Sequence, residues 1–445
     1  MTKPIICAYA LGAINYKNGF VTSCPQQSDQ LHVYKDTKVL KPSEIINSEN
    51  FKKHRKELMS GTWSKGCHLC KEAEEIGSPS MRQDYLVTDQ DLELYNNESG
   101  ETNFKLIKHV ELRFSNSCNM ACLHCSDVYS SGWVSKLKNY VPDEEDKKHK
   151  LLQLTKTFHK LTPDEDLTIS ISINEMEIII DDLIENFPNL KKVDFAGGEV
   201  LYQKQFFPCL RKLSKHPNVK NMKVSFHTNF NAKFKPEELS EVLQPFGKVS
   251  IQMSLDAGKN IYPYFRTGDW EVLKSNVERF RKVDNKCELN IKCTTSVYQI
   301  MDIEDVFKSF MELDVNFIDS AIVYTPRYIN PALMVMHFKD EVYQDIQKTY
   351  KMLSDELKYR LENLSSYEHR KSWVPNRKEF TDIRTAFKAL EEIEHYVFNH
   401  QCKKEEWDAL LVYIRKTDSI WKRNFNDFIK KYEFKDNQLV RSINV

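Results

Sequence analysis

The chain has 445 residues, 41% of them hydrophobic, and 64 Lys+Arg balance 64 Asp+Glu to a formal net charge of zero. That much apolar material, with 25 Phe and 20 Tyr, builds a real core over two or three domains and excludes a disordered chain. The neutral total argues against nucleic acid or an anionic membrane as a dominant partner, no apolar run approaches the roughly 20 residues of a membrane span, and Met1-Thr2-Lys3-Pro4 leads into no signal-peptide core, so a cytoplasmic protein is expected.

Residues 1–90 predict a small irregular unit. Ile14–Val21 reads as a hairpin turning at Asn18-Gly19, and a helix is expected from Pro42 to about Met59 with Ser43 as N-cap. From Leu106 short β-branched and aromatic runs alternate with helical patterns. Strands are expected at Ile107–Phe114, Lys192–Ala196, Lys223–Thr228, Val249–Leu255, Leu289–Thr295 and Phe317–Tyr324, with helices at Pro236–Leu243, Glu271–Val283 and Ile303–Leu313. This alternation predicts an α/β fold with a parallel sheet, and six strands suit an open, partial (β/α)6 barrel over residues 106–330 better than a closed eight-stranded one. The charged stretch 141–170 reads as a solvated insertion. Residues 332–445 read as a helical C-terminal domain (Asp340–Leu364, Phe380–Tyr396, Lys404–Lys431), for which core capping or oligomerisation is favoured over a substrate lid.

Eleven cysteines in a chain with no export signal point to thiols or metal ligands rather than disulfides. Cys118, Cys122 and Cys125 follow the first barrel strand at CxxxCxxC spacing, so three thiols on one loop can converge on one metal centre. By itself the spacing also fits part of a zinc site or chance; its place at a strand end, where such folds gather their active sites, favours function. Glycine is scarce, 12 in the chain, and the only adjacent pair, Gly197-Gly198, precedes Glu199 directly after the second strand. Two glycines let backbone approach a ligand, and the carboxylate accepts from an ammonium group. His227-Thr228-Asn229 closes the third strand and Ser254-Leu255-Asp256 the fourth; Arg266 follows in Tyr262–Trp270.

In this order the motifs resemble the radical S-adenosylmethionine (radical SAM) superfamily. The resemblance implies that Cys118, Cys122 and Cys125 bind a four-iron four-sulfur cluster whose free iron is chelated by S-adenosylmethionine. It implies further cofactor contacts at His124 (usually an aromatic, beside the adenine), Gly197, Gly198, Glu199 (the amino group), Asn229, Ser254, Asp256 and Arg266 (a carboxylate). Phe230 departs from the family's Thr-Asn-Gly by replacing the glycine. Four further thiols, Cys7 and Cys24 around the hairpin and Cys67 and Cys70 as a CxxC, could bind zinc tetrahedrally. Together with Ile45-Ile46-Asn47-Ser48 and Arg55 they resemble instead the twitch domain, a shortened SPASM domain with one auxiliary four-iron four-sulfur cluster, although twitch domains usually follow the barrel. The resemblance spans about residues 5–330. It implies two clusters, an electron donor of flavodoxin or ferredoxin type, and hydrogen abstraction from a C–H bond of a peptide or small molecule, the auxiliary cluster supporting oxidation or bond formation. The rival is a zinc-binding interaction protein that keeps the fold without catalysis. Cys209, Cys287, Cys293 and Cys402 receive no role.

Overall fold

A computed structural model describes residues 3–17, 19–75, 80–83, 87–127, 129–138, 140–141, 143–149, 170–284, 286–324, 326–363 and 380–442. Eight strands join in the order β2-β1-β3-β4-β5-β6-β7-β8: β1 Ala13–Lys17, β2 Phe20–Thr22, β3 His109–Leu112, β4 Lys192–Phe195, β5 Lys223–Thr228, β6 Lys248–Ser254, β7 Glu288–Thr295 and β8 Phe317–Ile322. The six strands expected from sequence are β3–β8. The fold is α/β with a mainly parallel sheet, as in a partial radical SAM barrel, followed by a helical C-terminal region. Val110, Val193, Val224, Leu289 and Ile291 are all fully buried, so the aliphatic positions that marked these strands in the sequence face the core.

The described chain divides into two compact units. The first comprises residues 1–117, 168–226 and 238–249. Within it the hairpin does not stand apart. β1 pairs antiparallel with β2 but parallel with β3, Ala13 opposite His109 through Tyr16 opposite Leu112, so the hairpin prolongs the edge of the sheet. Gly19 takes the positive φ (+93°) that the turn requires; Asn18 lies outside the described residues.

The helix expected over Pro42–Met59 is two helices, Pro42–Ile45 and Glu49–Met59, with Lys41 and Ser48 at their N-cap positions and no capping bond from either side chain. Ser43 is inside the first and caps nothing; its N–H and Oγ donate to the Asp182 carboxylate at 2.8 and 2.6 Å. The break has a cause in Arg55. Its Nη2 donates to Ile46 O (2.8 Å) and Asn47 Oδ1 (2.9 Å) and its Nε to Gly100 O (2.8 Å), so a fully buried guanidinium takes the Ile46 carbonyl that a continuous helical ladder would use.

The second unit comprises residues 118–167, 227–237 and 250–445. Its helices include Trp270–Val283, Ile303–Met311, Leu333–Glu362, Thr381–Asn399 and Lys404–Trp421, followed by a small antiparallel pair, β9 Tyr432–Lys435 and β10 Gln438–Arg441, that the sequence did not suggest. The helix expected to run from Lys404 to Lys431 stops at Trp421, where Lys422 turns left-handed (φ +53°) and the Asp418 carboxylate accepts from Phe425 N. The charged insertion also needs correcting in its described part. Glu144–His149 is helical, Glu145 pairs with Arg415, and Asp143 and Asp146 pair with Lys416, so these charges are tied to the Lys404–Trp421 helix rather than merely solvated. Residues 150–169 lie outside the described residues. Among the described residues no helix is long and apolar enough to cross a membrane.

Candidate functional site

The CxxxCxxC loop begins six residues after the C-terminal end of β3, and its backbone polar groups are held one by one. A loop has no ladder to satisfy them, so each needs a specific partner. Ser130 Oγ donates to Met120 O (2.6 Å), Trp133 Nε1 to Cys122 O (2.7 Å), Trp421 Nε1 to Ala121 O (3.2 Å) and Tyr413 OH to Leu123 O (2.5 Å). On the donor side, Ala121 N meets Thr267 Oγ1 at 2.8 Å, Leu123 N meets Phe265 O at 2.9 Å, and Cys118 N meets Ser131 Oγ at 3.0 Å. Thr267 does this from a left-handed conformation (φ +60°), a strained one for a β-branched residue. Cys122 is buried and Cys118 and Cys125 are half-buried. Burial, then the neighbouring Cys122 and Cys118, push the Cys125 thiol well above its ordinary range.

Beside this loop lies a buried ionic group. Asp256, 1% exposed, places Oδ2 2.6 Å from Arg266 Nη1 and 3.4 Å from His124 Nε2, while its Oδ1 accepts from Thr294 N (2.6 Å) and its carbonyl from Gln299 Nε2. The carboxylate that Arg266 meets in the chain is therefore Asp256. Burial works against the Arg266 guanidinium, but the nearby Cys122 and Asp256 outweigh it and hold its pKa above the usual value. His124 stacks on Phe265 (centroids 5.1 Å, 13° between planes), and burial lowers its pKa despite Asp256, keeping the imidazole neutral. His124 Nδ1 and Arg266 Nε are buried and have no hydrogen-bond partner among the described residues.

Asn229 serves the loop. Its Nδ2 donates to Asn119 Oδ1 (2.8 Å), between two of the cysteines, and its Oδ1 accepts from Asn231 N. Phe230 keeps a glycine-like backbone, φ +52°. Ser254 ends β6, half-buried, in register with Lys292 of β7. In the first unit, Gly197 and Gly198 both have positive φ, and a Cβ on Gly198 would lie 2.2 Å from Ser117 O. Glu199 is fully buried; its N–H donates to Ser117 O (2.9 Å), immediately before Cys118 in the chain, and its Oε1 accepts from Leu201 N (3.0 Å).

The second thiol set lies wholly in the first unit. Cys7, Cys24, Cys67 and Cys70 line one cavity of about 20 Å³ with Tyr9, His54 and Trp63. Burial, reinforced by the other thiols, pushes Cys24 and Cys67 up to about 12. Arg82 closes one side, donating to Ile6 O (2.7 Å) and pairing with Glu74. Among the described residues no three His, Cys, Asp or Glu stand close enough to chelate one ion, so each set is a neighbourhood of thiols rather than a formed coordination sphere. The donor chemistry nonetheless fits an iron–sulfur centre. Each set gathers several thiols that are half-buried or buried, and thiolates are the donors such a centre takes.

Trp133, Tyr413, Trp421 and Thr267 went unnoticed in the sequence. They act through single hydrogen bonds to backbone, and no residue spacing advertises such a bond.

The model of the Radical SAM superfamily matches residues 112–298. Over those residues the chain carries a radical SAM domain. Among solved structures, native anSMEcpe with bound AdoMet is similar at 19% identity and a TM-score of 0.36, over 56% of this chain and 61% of that one. SuiB of Streptococcus suis bound to precursor peptide SuiA is similar at 13% identity and a TM-score of 0.34, over 66% and 60%. TYW1 with a lysine-pyruvate adduct bound is similar at 15% identity and a TM-score of 0.29, over 65% and 82%. The chain spans about three fifths of the length of the first two. A comparison with curated proteins found no match.

Proposed function

We propose that this chain is a radical SAM enzyme in which Cys118, Cys122 and Cys125 hold a four-iron four-sulfur cluster that leaves one iron to S-adenosylmethionine. The supporting observation is the backbone-clamped loop that carries the three thiols after β3, inside the span that matches the family. When bound, the cluster and S-adenosylmethionine supply a 5′-deoxyadenosyl radical able to abstract hydrogen from a C–H bond. The chain's own groups bind and orient. Neutral His124 offers Nδ1 and an aromatic face to the adenine. Arg266, already paired with Asp256 through Nη1, retains Nε for a carboxylate. Gly197 and Gly198 let backbone approach the methionyl end, and Glu199 accepts from its ammonium. Cys7, Cys24, Cys67 and Cys70 hold an auxiliary cluster, with the hairpin and the segment around Arg55 forming a twitch-like site at residues 1–90; four protein ligands suit it to electron transfer. An electron donor of flavodoxin or ferredoxin type and a peptide or small-molecule substrate complete the system.

The test is anaerobic reconstitution of the full chain, followed by iron and sulfide analysis and an assay for 5′-deoxyadenosine with a reductant and S-adenosylmethionine. Two four-iron clusters give about eight irons per chain. Cys118→Ala is expected to abolish 5′-deoxyadenosine, while Cys7→Ala keeps it with about half the iron. A colourless, zinc-loaded protein without iron or sulfide overturns the enzyme reading in favour of a zinc-binding interaction protein.

A further inference from the structure

We propose that the Lys404–Trp421 helix is a positioning element for the cysteine loop, with Tyr413 and Trp421 as its positioning residues. The proposal rests on the enzyme reading above, yet the helix lies outside residues 112–298. Of the four consecutive carbonyls from Met120 to Leu123, two are satisfied locally by Ser130 and Trp133. The other two are satisfied from this helix: Ala121 O by Trp421 Nε1 (3.2 Å) and Leu123 O by Tyr413 OH (2.5 Å). The two donors sit two turns apart, at a spacing that shares one helix face, and both are buried.

The same helix end holds the opposite wall. Asp418 Oδ1 accepts from Tyr264 OH (2.9 Å), the Arg423 guanidinium lies 4.1 Å over the Tyr264 ring, and Trp421 meets Trp133 edge-on at 4.8 Å. Tyr264 is followed by Phe265, Arg266 and Thr267, whose carbonyl and hydroxyl groups accept from Leu123 N and Ala121 N. One helix therefore fixes both the thiol-bearing loop and the Arg266 turn. Hydrogen bonds and solvent access around the sulfurs set the potential of an iron–sulfur centre, so loosening these carbonyls alters the electrostatics of the site without removing a ligand.

Tyr413→Phe deletes the hydroxyl and keeps the ring; Trp421→Phe deletes the indole N–H in a second, independent variant. Tyr396→Phe is the control, because the Tyr396 hydroxyl bonds Asn330 elsewhere in the C-terminal helices. Two readouts are taken on the full-length chain: hydrogen exchange of the 118–126 amides in metal-free protein, and the midpoint potential and EPR spectrum of the reduced cluster after reconstitution. Tyr413→Phe and Trp421→Phe are expected to speed loop exchange about fivefold or more, the effect of one lost buried hydrogen bond, and to shift potential and spectrum, with Tyr396→Phe at wild-type values. Loop exchange at the wild-type rate in both variants, with both folded, overturns the proposal whatever the potential does. If wild-type protein takes up no iron, the enzyme reading fails, and the exchange measurement still decides the role of the helix.

Discussion

Phe230 stands where the family's Thr-Asn-Gly turn carries glycine, and the structure gives it a left-handed φ of +52° with the side chain 0% exposed. Two opposed terms therefore meet at one residue. The ring packs at 5.1 Å on Phe234 and 5.9 Å on Phe280, and truncating a buried Phe to Ala costs about 3–5 kcal/mol. Phe and Ala bear the left-handed strain alike, so Phe230→Ala is expected to lose that full amount. Phe230→Gly loses the same packing but sheds the strain, and where φ is positive Gly outperforms Ala by about 1 kcal/mol, against a deficit of about 0.5–1 kcal/mol elsewhere. The expected order of stability is wild type, then Gly, then Ala. Thermal and denaturant unfolding of the metal-free chain under reducing conditions, followed by tryptophan fluorescence, measures it. An Ala variant more stable than the Gly variant by the ordinary margin refutes the left-handed assignment. The consequence reaches the site, because Phe230 O accepts from Asn276 Nδ2 (3.0 Å) while the preceding Asn229 holds Asn119 of the cysteine loop.

Gly198→Ala places a Cβ 2.2 Å from Ser117 O in a left-handed backbone, so a loss above about 4 kcal/mol is expected, read as a lower Tm and reduced iron uptake at the adjacent Cys118; wild-type stability would show that the close approach does not exist. Arg55→Lys leaves at least one of the acceptors Ile46 O, Asn47 Oδ1 and Gly100 O unserved in a buried site and is expected to cost about 2–4 kcal/mol in denaturant unfolding; a cost below about 0.5 kcal/mol would mean water already reaches them. Burial, then Asp305, pushes the Asp302 carboxyl from 3.8 up to about 6, with Lys431 only partly offsetting this. The folded chain thus keeps a proton that the unfolded chain releases, and stability falls as pH rises from about 4 to 6, by at most about 3 kcal/mol. Asp302→Asn is expected to flatten that slope and to be the more stable protein above pH 6; pH–stability curves parallel to wild type would refute the shift.

What the sequence disclosed follows from physics that repeats. β3–β8 were legible because β-branched and aromatic residues recur at their buried positions between helical patterns, and the thiol spacings because metal chemistry leaves few residue types to choose from. The parallel pairing of β1 with β3 was not, since nothing in Ala13–Lys17 states which strand its outer edge will meet. The break between Ile45 and Glu49 was hidden for another reason. It depends on Arg55 reaching back to Ile46 O, a bond that periodicity does not encode, and the intact apolar stripe suggested one helix. For the glycines the sequence showed the adjacency of Gly197 and Gly198, and only the structure shows why: Ser117 O occupies the space of a side chain at Gly198, and Gly197 takes a φ of +85° close to Arg113 and Ser115.

The clamps on the cysteine loop were the least visible feature and bear most on chemistry. Ordering a free loop residue costs about 1–2 kcal/mol, and a ligand that must order the loop as it binds loses that amount per residue from its affinity. Here Met120, Ala121, Cys122 and Leu123 each have their carbonyl engaged by a buried side chain of the chain itself. Folding thus contributes to the ordering of this loop through the protein's own donors. Any residue able to donate from the right place could fill each role, and two of the four donors stand 290 and 300 positions from their acceptors. A search for ligands finds the sulfurs; the groups that hold the sulfurs' backbone in place are found only once the chain is folded.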